Sequence, residues 1–166
     1  MKYKIPSLLL LGAIVILLVN SCKKDTQTSL QALFTTGTWQ LASVQVYHYT
    51  GNSQTSTDTL NTNCNLIQLF TFNKDKTCTY TYFDCLDQPT ATGQWALTPN
   101  QLFLNATVTC KDTTAAGSSR PFINAQILDL GDYSMVLQTG DIQPNYSATK
   151  KRTIVRYGFI RQKVKP

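Results

Sequence analysis

The stretch from Cys64 to Cys85 reads CNLIQLFTFNKDKTCTYTYFDC, and it decides the fold class of the chain. Two runs rich in aromatic residues, threonine and aliphatic residues flank the polar segment 73–76, NKDK. β-Branched and aromatic residues favour strands, and a short polar segment between two such runs favours a tight turn. The stretch therefore predicts a β-hairpin with strands over residues 64–72 and 77–85.

Strand-like runs separated by turn signals continue on both sides of this hairpin, at the spacing typical of all-β proteins. The eight predicted strands are residues 38–49, 64–72, 77–85, 92–97, 102–110, 122–130, 133–138 and 149–164. The polar stretches 50–63 and 111–120 have little to bury and are predicted to be loops. Eight antiparallel strands in chain order can close on themselves and remove their edges, so we expect an all-β, up-and-down barrel rather than a sandwich.

The N-terminal segment has the features of a bacterial secretion signal. Lys2 and Lys4 precede an apolar run over residues 5–19, and small Ser21 stands directly before Cys22. This ending is similar to the lipobox of bacterial lipoproteins, which are cut before a cysteine that then carries a diacylglycerol. An uncleaved anchor is the alternative, but the run is shorter than the ~20 residues that a spanning helix needs.

These features divide the chain into three parts. We expect residues 1–21 to be a lipoprotein signal peptide, residues 22–34 to be the lipidated cysteine and its tether, and residues 35–166 to be the barrel domain. Such a protein would be anchored in the cell envelope. Lys23 stands where an Asp could signal retention at the inner membrane, which favours the outer membrane.

The composition argues against several function classes. The chain carries 15 Lys and Arg against 9 acidic residues, for a net charge of +6, and every acid is Asp. This charge balance does not indicate nucleic-acid binding. No nucleophile, phosphate-loop or metal motif is present, and the one histidine, His48, lies in a predicted strand between apolar neighbours. We therefore expect a non-enzymatic protein with no catalytic residues, no cofactor and no metal.

The cysteines beyond the predicted lipidation site are Cys64, Cys78, Cys85 and Cys110. An even number in an exported chain fits disulfides. If the chain turns symmetrically at residues 73–76, Cys64 lies directly opposite Cys85, within reach of a bridge. Cys64–Cys85 is the expected disulfide, Cys85–Cys110 is its rival, and Cys78 is left as a free, buried thiol. Four unpaired cysteines are the remaining alternative.

Three short motifs and one basic residue follow one another along the predicted strands. They are Gly37-Thr38-Trp39, Gly93-Gln94-Trp95, Gly131-Asp132-Tyr133 and the basic residue Arg161. The first, the third and Arg161 resemble the motifs of lipocalins. The second Gly-x-Trp, the charged turn and the cysteines flanking the first hairpin make the chain more similar to the short lipocalin-like domains of bacterial lipoproteins. The resemblance implies a barrel in which Arg161 packs over Trp39, and it implies a small apolar ligand. Lys76 departs from the family pattern, which usually has Gly there.

The predicted ligand site follows from the assumed hairpin register. Ile67 and Leu69 would share a face with Tyr80 and Tyr82, and the opposite face carries threonines, so the first face is expected to line the interior. The predicted ligand-binding residues are Trp39, Ile67, Leu69, Tyr80, Tyr82 and Trp95. Tyrosine hydroxyls among apolar walls suit a small ligand with one or two polar groups.

Two functions are compatible with this reading. The first is a monomeric, lipid-anchored barrel that binds a small apolar or amphipathic molecule. The alternative is a non-catalytic interaction module with a filled barrel, which binds a protein or a glycan through the segments 50–63 and 111–120. A cavity in the barrel favours the first, and a packed interior favours the second.

Overall fold

The computed structural model describes residues 30–60, 62 and 64–162. The predicted signal peptide, the predicted lipidation site Cys22 and residues 23–29 of the predicted tether lie outside the described residues. Among the helices of the described ranges, none has the length and apolarity to cross a membrane.

The described residues are folded mainly as antiparallel strands. The elements are β1 (Thr38–Thr50), β2 (Ser53–Leu60), β3 (Leu69–Phe72), β4 (Thr77–Thr81), a 3-10 helix (Phe83–Cys85), β5 (Ala91–Leu97), β6 (Phe103–Ala106), β7 (Cys110–Lys111), β8 (Ser118–Ser119), β9 (Ala125–Leu130), β10 (Ser134–Gly140) and β11 (Lys151–Arg161). Residues 30–35 form a short helical turn before β1.

Eight of these strands close into a barrel, as the sequence predicts. The order is β1, β3, β4, β5, β6, β9, β10 and β11, and β11 pairs with β1 along nearly its whole length, from Trp39↔Arg161 to Thr50↔Lys151. β2 extends the sheet outside the ring, and β7 and β8 form a separate small hairpin. Closure gives every barrel strand two partners, which removes the free edges.

The turns between the strands divide the barrel into two different ends. The short β3–β4, β5–β6 and β9–β10 turns lie at one end together with the helical turn 30–35. Phe34 of that turn is fully buried and packs against Phe72 and Trp95, with ring centroids 5.0 and 5.6 Å away. The longer segments 82–90, 107–124 and 141–150 lie at the other end. We call these the closed end and the open end.

The closed end contains the interaction that the family resemblance implies. The Arg161 guanidinium lies over the Trp39 ring, 4.5 Å from its centroid, and Nη2 donates a 2.7 Å hydrogen bond to Leu33 O. The Trp39 indole is 0% exposed, and its Nε1 donates to Phe34 O at 3.1 Å. The tryptophan therefore joins the first strand, the last strand and the helical turn, and the expected Arg161–Trp39 packing is confirmed.

The β3–β4 hairpin is present, but the symmetric register assumed from the sequence is wrong by one residue. Phe70 lies opposite Tyr80 and Phe72 opposite Cys78, and Asn73 N–H donates to Thr77 O at 2.9 Å. The reason is Lys76, which adopts a left-handed conformation with φ 72. A left-handed residue after the turn leaves a three-residue loop, which moves all pairs by one position.

The shift exchanges the faces of β3. Phe70 rather than Leu69 points into the core, and Leu69 is only partly buried. Ile67, which was expected inside, is 52% exposed, and Tyr82 lies beyond the end of β4 and is partly buried. Tyr80 is buried as expected, because it projects inward opposite Phe70. The prediction that Ile67 and Leu69 face the interior is therefore wrong.

The two segments expected to be loops contain strands. Residues 53–60 of the first segment form β2, which pairs with β1 from Val44↔Leu60 to Thr50↔Ser53. All eight of its residues are exposed. The second segment contains most of the β7–β8 hairpin, with Cys110 opposite Ser119. The loop prediction for both segments is wrong, since both pair their backbone in strands. β2 also contacts β1 through side chains, as between Asp58 and His48.

Candidate functional site

A pocket with a volume of about 180 Å³ opens at the open end of the barrel. We call it the open-end pocket. Its lining residues are Leu41, Val44, Val46, Leu60, Thr62, Gln68, Phe83, Asp84, Cys85, Val155 and Tyr157. Most of these side chains are apolar, with a few polar groups among them, which is the usual make-up of a small-molecule site.

The pocket exists because β1 extends beyond the strand next to it. β3 pairs with β1 only from Thr38 to Gln40, so the upper half of β1 has no barrel partner on that side. A β-bulge between Leu41 and Ser43 changes the alternation of β1 and turns Val44 to the same side as Leu41. Val44 and Val46 lie opposite Tyr157 and Val155 of β11. These residues give the pocket its apolar wall.

The segment from Tyr82 to Cys85 supplies another side of the pocket in an unusual backbone conformation. Tyr82, Asp84 and Cys85 have φ values of 53, 57 and 56, the left-handed region that non-glycine residues rarely adopt. Each such residue costs on the order of 1 kcal/mol or more and persists only where surrounding contacts fix it. Strained backbone of this kind clusters at binding and catalytic sites.

Several contacts fix this segment. Cys64 and Cys85 form a disulfide with a Cα–Cα distance of 6.1 Å, which confirms the expected pairing over its rival. Buried Gln88 donates to Phe83 O at 2.9 Å and accepts a 2.9 Å hydrogen bond from Lys111 N. These constraints place Phe83 and its neighbours in a defined position at the pocket.

The polar lining groups are positioned by specific hydrogen bonds. Asp84 Oδ2 accepts hydrogen bonds from Thr113 N at 3.0 Å and from Thr113 Oγ1 at 2.7 Å. Gln68 is buried, and its Oε1 accepts a 3.4 Å hydrogen bond from the Tyr80 hydroxyl. Burial raises the pKa of Tyr157 to about 12, and the nearby Asp84 carboxylate adds to the rise. The Tyr157 hydroxyl therefore keeps its proton at neutral pH and can donate a hydrogen bond.

The predicted ligand-binding residues are not brought together in this pocket. Trp39, Tyr80 and Trp95 are buried in the core, and none of the six predicted residues lines the open-end pocket. Of the predicted set, Tyr80 is linked to the pocket through its hydrogen bond to Gln68. A ligand-binding role for the predicted set stays a prediction. Sequence reasoning missed Val44 and Val46 of β1. Their alternation was the only signal, and it could not be assigned to a face because the bulge after Leu41 is not apparent from the sequence.

His48 does not contribute to the pocket lining. Its Nε2 lies 3.0 Å from Asp58 Oδ2, and both side chains are exposed on the β1–β2 hairpin. In the described ranges, no three His, Cys, Asp or Glu side chains are grouped closely enough to hold a metal ion.

Two buried thiols lie outside the lining of the open-end pocket, and their environments raise the pKa of both. Cys78 and Cys110 are unpaired among the described residues. Burial raises the pKa of Cys78 from 9.0 to about 11. Burial first, and then Asp112 and Cys78, raise the pKa of Cys110 from 9.0 to about 12.

We expect the free energy of unfolding to fall as the pH rises above 9, because the thiols then lose protons in the unfolded chain before the folded one. Each thiol contributes a slope of up to about 1.4 kcal/mol per pH unit. Urea unfolding at pH 7, 9 and 10.5 measures the effect. The double variant Cys78→Ala, Cys110→Ala retains the tyrosines and should show a flatter profile, and an unchanged profile would refute this origin.

The comparisons with known proteins agree with this architecture. Residues 35–137 match the family model of the lipocalin-like domain, from just before β1 to the middle of β10. No curated protein and no solved structure is significantly similar to the chain.

Proposed function

This chain belongs to the lipocalin-like domain family, and we propose that its open-end pocket binds a small apolar or amphipathic molecule. The lipocalin-like barrel is a ligand-binding fold in general. What supports the specific proposal is one observation: the interior is packed at the closed end and leaves a cavity at the open end. A barrel of eight strands has room for side chains and for one small ligand.

The size of the cavity limits the ligand. Drug-sized molecules occupy pockets of roughly 300–1,000 Å³, and a cavity of about 150 Å³ holds benzene. The open-end pocket, at about 180 Å³, matches a molecule of roughly the size of a substituted benzene. Phe70, Phe72 and Phe122 fill the barrel interior, which leaves no room for a long acyl chain there.

Blocking the pocket should abolish binding without unfolding the barrel. In Val46→Trp, the indole would occupy the cavity that Val46 lines. Thr57→Trp is the matched control, because Thr57 is exposed on β2 opposite Tyr47, on the other side of the sheet from Val46. Ligand-observed NMR with a set of neutral and charged single-ring compounds should show binding to the wild type and to Thr57→Trp only. Equal binding to Val46→Trp would contradict the proposal.

The second candidate function is recognition of a protein or glycan through the segments at the open end, with no ligand in the barrel. The observation that favours it is β2, whose eight residues are exposed and which ends the strand order with no described partner on its outer edge. A strand edge of this kind can pair with an incoming chain. Absence of any small-molecule binding, together with capture of a partner that Thr57→Pro prevents, would favour this function.

We further propose that the domain is held at the bacterial cell envelope, more at the outer than at the inner membrane, by a lipid on Cys22, and that it binds without catalysis. The support is the sequence alone: an apolar run, Ser21 before Cys22, and Lys23 after it. Two or more acyl chains give stable membrane attachment.

Metabolic labelling with an alkyne-tagged fatty acid tests the anchor. The full chain expressed in a bacterium should incorporate the label, and Cys22→Ala should lose it because the acceptor thiol is gone. Lys23→Ala is the control and should remain labelled. Label retained by Cys22→Ala would overturn this part of the proposal.

A further inference from the structure

The lining of the open-end pocket carries a negative charge with no positive side chain beside it among the described residues. Asp84 is the one charged side chain among the lining residues that the structure describes, which include no Lys, Arg or His. The chain as a whole has a net charge of +6. Asp84 is partly buried, and a carboxylate with no positive side chain beside it in the lining attracts a cation that enters the pocket.

Hydrogen bonds orient the Asp84 carboxylate, but they occupy only one of its two oxygens among the described residues. Both hydrogen bonds that it accepts within the described ranges, from Thr113 N and Thr113 Oγ1, reach Oδ2. A carboxylate has acceptor sites on both oxygens, so Oδ1 retains its capacity. The Thr113 contacts hold the group in one orientation. Burial is the main cause of the raised pKa of Tyr157, and the Asp84 carboxylate adds to the rise.

Two aromatic rings of the pocket provide a second attraction for a cation. The rings of Phe83 and Tyr157 have centroids 6.5 Å apart and are inclined by 39°. Elsewhere in the described residues, aromatic rings are paired with the chain's own cations, as in Lys76–Trp95 and Arg156–Tyr47. No described Lys or Arg lies over Phe83 or Tyr157 in the same way. No described cation of the chain therefore competes with a ligand cation for these two rings.

We propose that the ligand is a small organic cation, an ammonium group on a compact apolar body of about ten non-hydrogen atoms, with the ammonium at Asp84. The apolar body would lie against Val44, Val46 and Val155, and the cavity volume sets its size. This inference rests on the proposed function, since it assigns a ligand class to the same pocket.

Three probes of similar size and shape separate the effect of charge from that of shape: the 2-phenylethylammonium ion, 2-phenylethanol and phenylacetate. Each is titrated against the full chain in phosphatidylcholine nanodiscs, with empty nanodiscs as the blank. We expect the cation to bind at least about tenfold more tightly than the alcohol, since a hydrogen-bonded ion pair is stronger than a neutral hydrogen bond. Phenylacetate should bind more weakly than the alcohol.

Asp84→Asn tests the origin of the preference, because its amide oxygen can still accept from Thr113. The variant should bind 2-phenylethanol as before and lose the tenfold preference for the cation. Asp132→Asn, in the exposed turn at the closed end, is the control and should keep the preference. Equal binding of cation and alcohol to the wild type, or a preference that survives in Asp84→Asn, would overturn the inference and leave the proposed function intact. No binding of any probe to the wild type would overturn both.

Discussion

Replacing Trp39 by alanine is expected to lower the free energy of unfolding by about 3–5 kcal/mol, which is the range for removing a fully buried aromatic side chain. The indole is 0% exposed and carries the Arg161 guanidinium on its face. Its removal leaves a cavity at the closed end and deprives Phe34 O of the hydrogen bond from Nε1. The first strand, the last strand and the helical turn lose their common contact in one step.

Urea unfolding followed by circular dichroism, which does not depend on the number of tryptophans, measures this loss. Tyr133→Ala is the matched control, since Tyr133 also lies at the closed end but is 81% exposed. Its free energy of unfolding should stay within about 0.5 kcal/mol of the wild type. A loss below about 1 kcal/mol for Trp39→Ala would show that the closed end does not depend on this residue.

Removing the disulfide is expected to have the second-largest effect. The double variant Cys64→Ala, Cys85→Ala should lose about 3 kcal/mol, since the bridge closes a loop with a sequence separation of 21. The bridge also holds the left-handed conformations of Asp84 and Cys85. We therefore expect weaker ligand binding in this variant, because the segment that lines the pocket can relax.

A reductant provides the control for this prediction. Dithiothreitol should destabilise the wild type by about the same amount and leave the double variant unchanged, because the latter has no bridge to reduce. If the wild type keeps its stability and its affinity after reduction, the disulfide does not fix the pocket.

The strand content and the barrel closure could be predicted from the sequence because most barrel strands contain runs of aromatic and aliphatic residues. Each places aromatic or aliphatic residues in the core, as with Phe70 and Phe72 of β3. β2 could not be found in this way, since all eight residues of its sequence SQTSTDTL are exposed and none belongs to the core. It pairs with β1 along its length. Its threonines, which favour strands, were the only signal.

The pocket could not be predicted because it depends on single-residue irregularities. Left-handed Lys76 moves the β3–β4 register, and the bulge after Leu41 turns Val44 and Val46 inward. A shift of one residue exchanges the faces of a strand, so each irregularity reverses an interior–exterior assignment.

The disulfide was predicted correctly from a wrong register, because the chain leaves the strand conformation before Cys85. Tyr82 is already left-handed, and the 3-10 helix that follows brings Cys85 to Cys64.

Lys76 stands at a left-handed position where the motif it resembles usually has glycine. Its Nζ lies 4.3 Å from the centroid of the Trp95 ring, and this cation–π contact offsets part of the backbone strain at Lys76.

Native mass spectrometry of residues 23–166, exported to a bacterial periplasm and purified without detergent, tests the binding of a small molecule in the open-end pocket most directly. We expect a mass above that of the polypeptide by one single-ring-sized molecule. This extra mass should disappear on denaturation and be absent from Val46→Trp but not from Thr57→Trp. A wild type with the bare polypeptide mass, or an added mass that Val46→Trp retains, would contradict the binding of a small molecule in the open-end pocket.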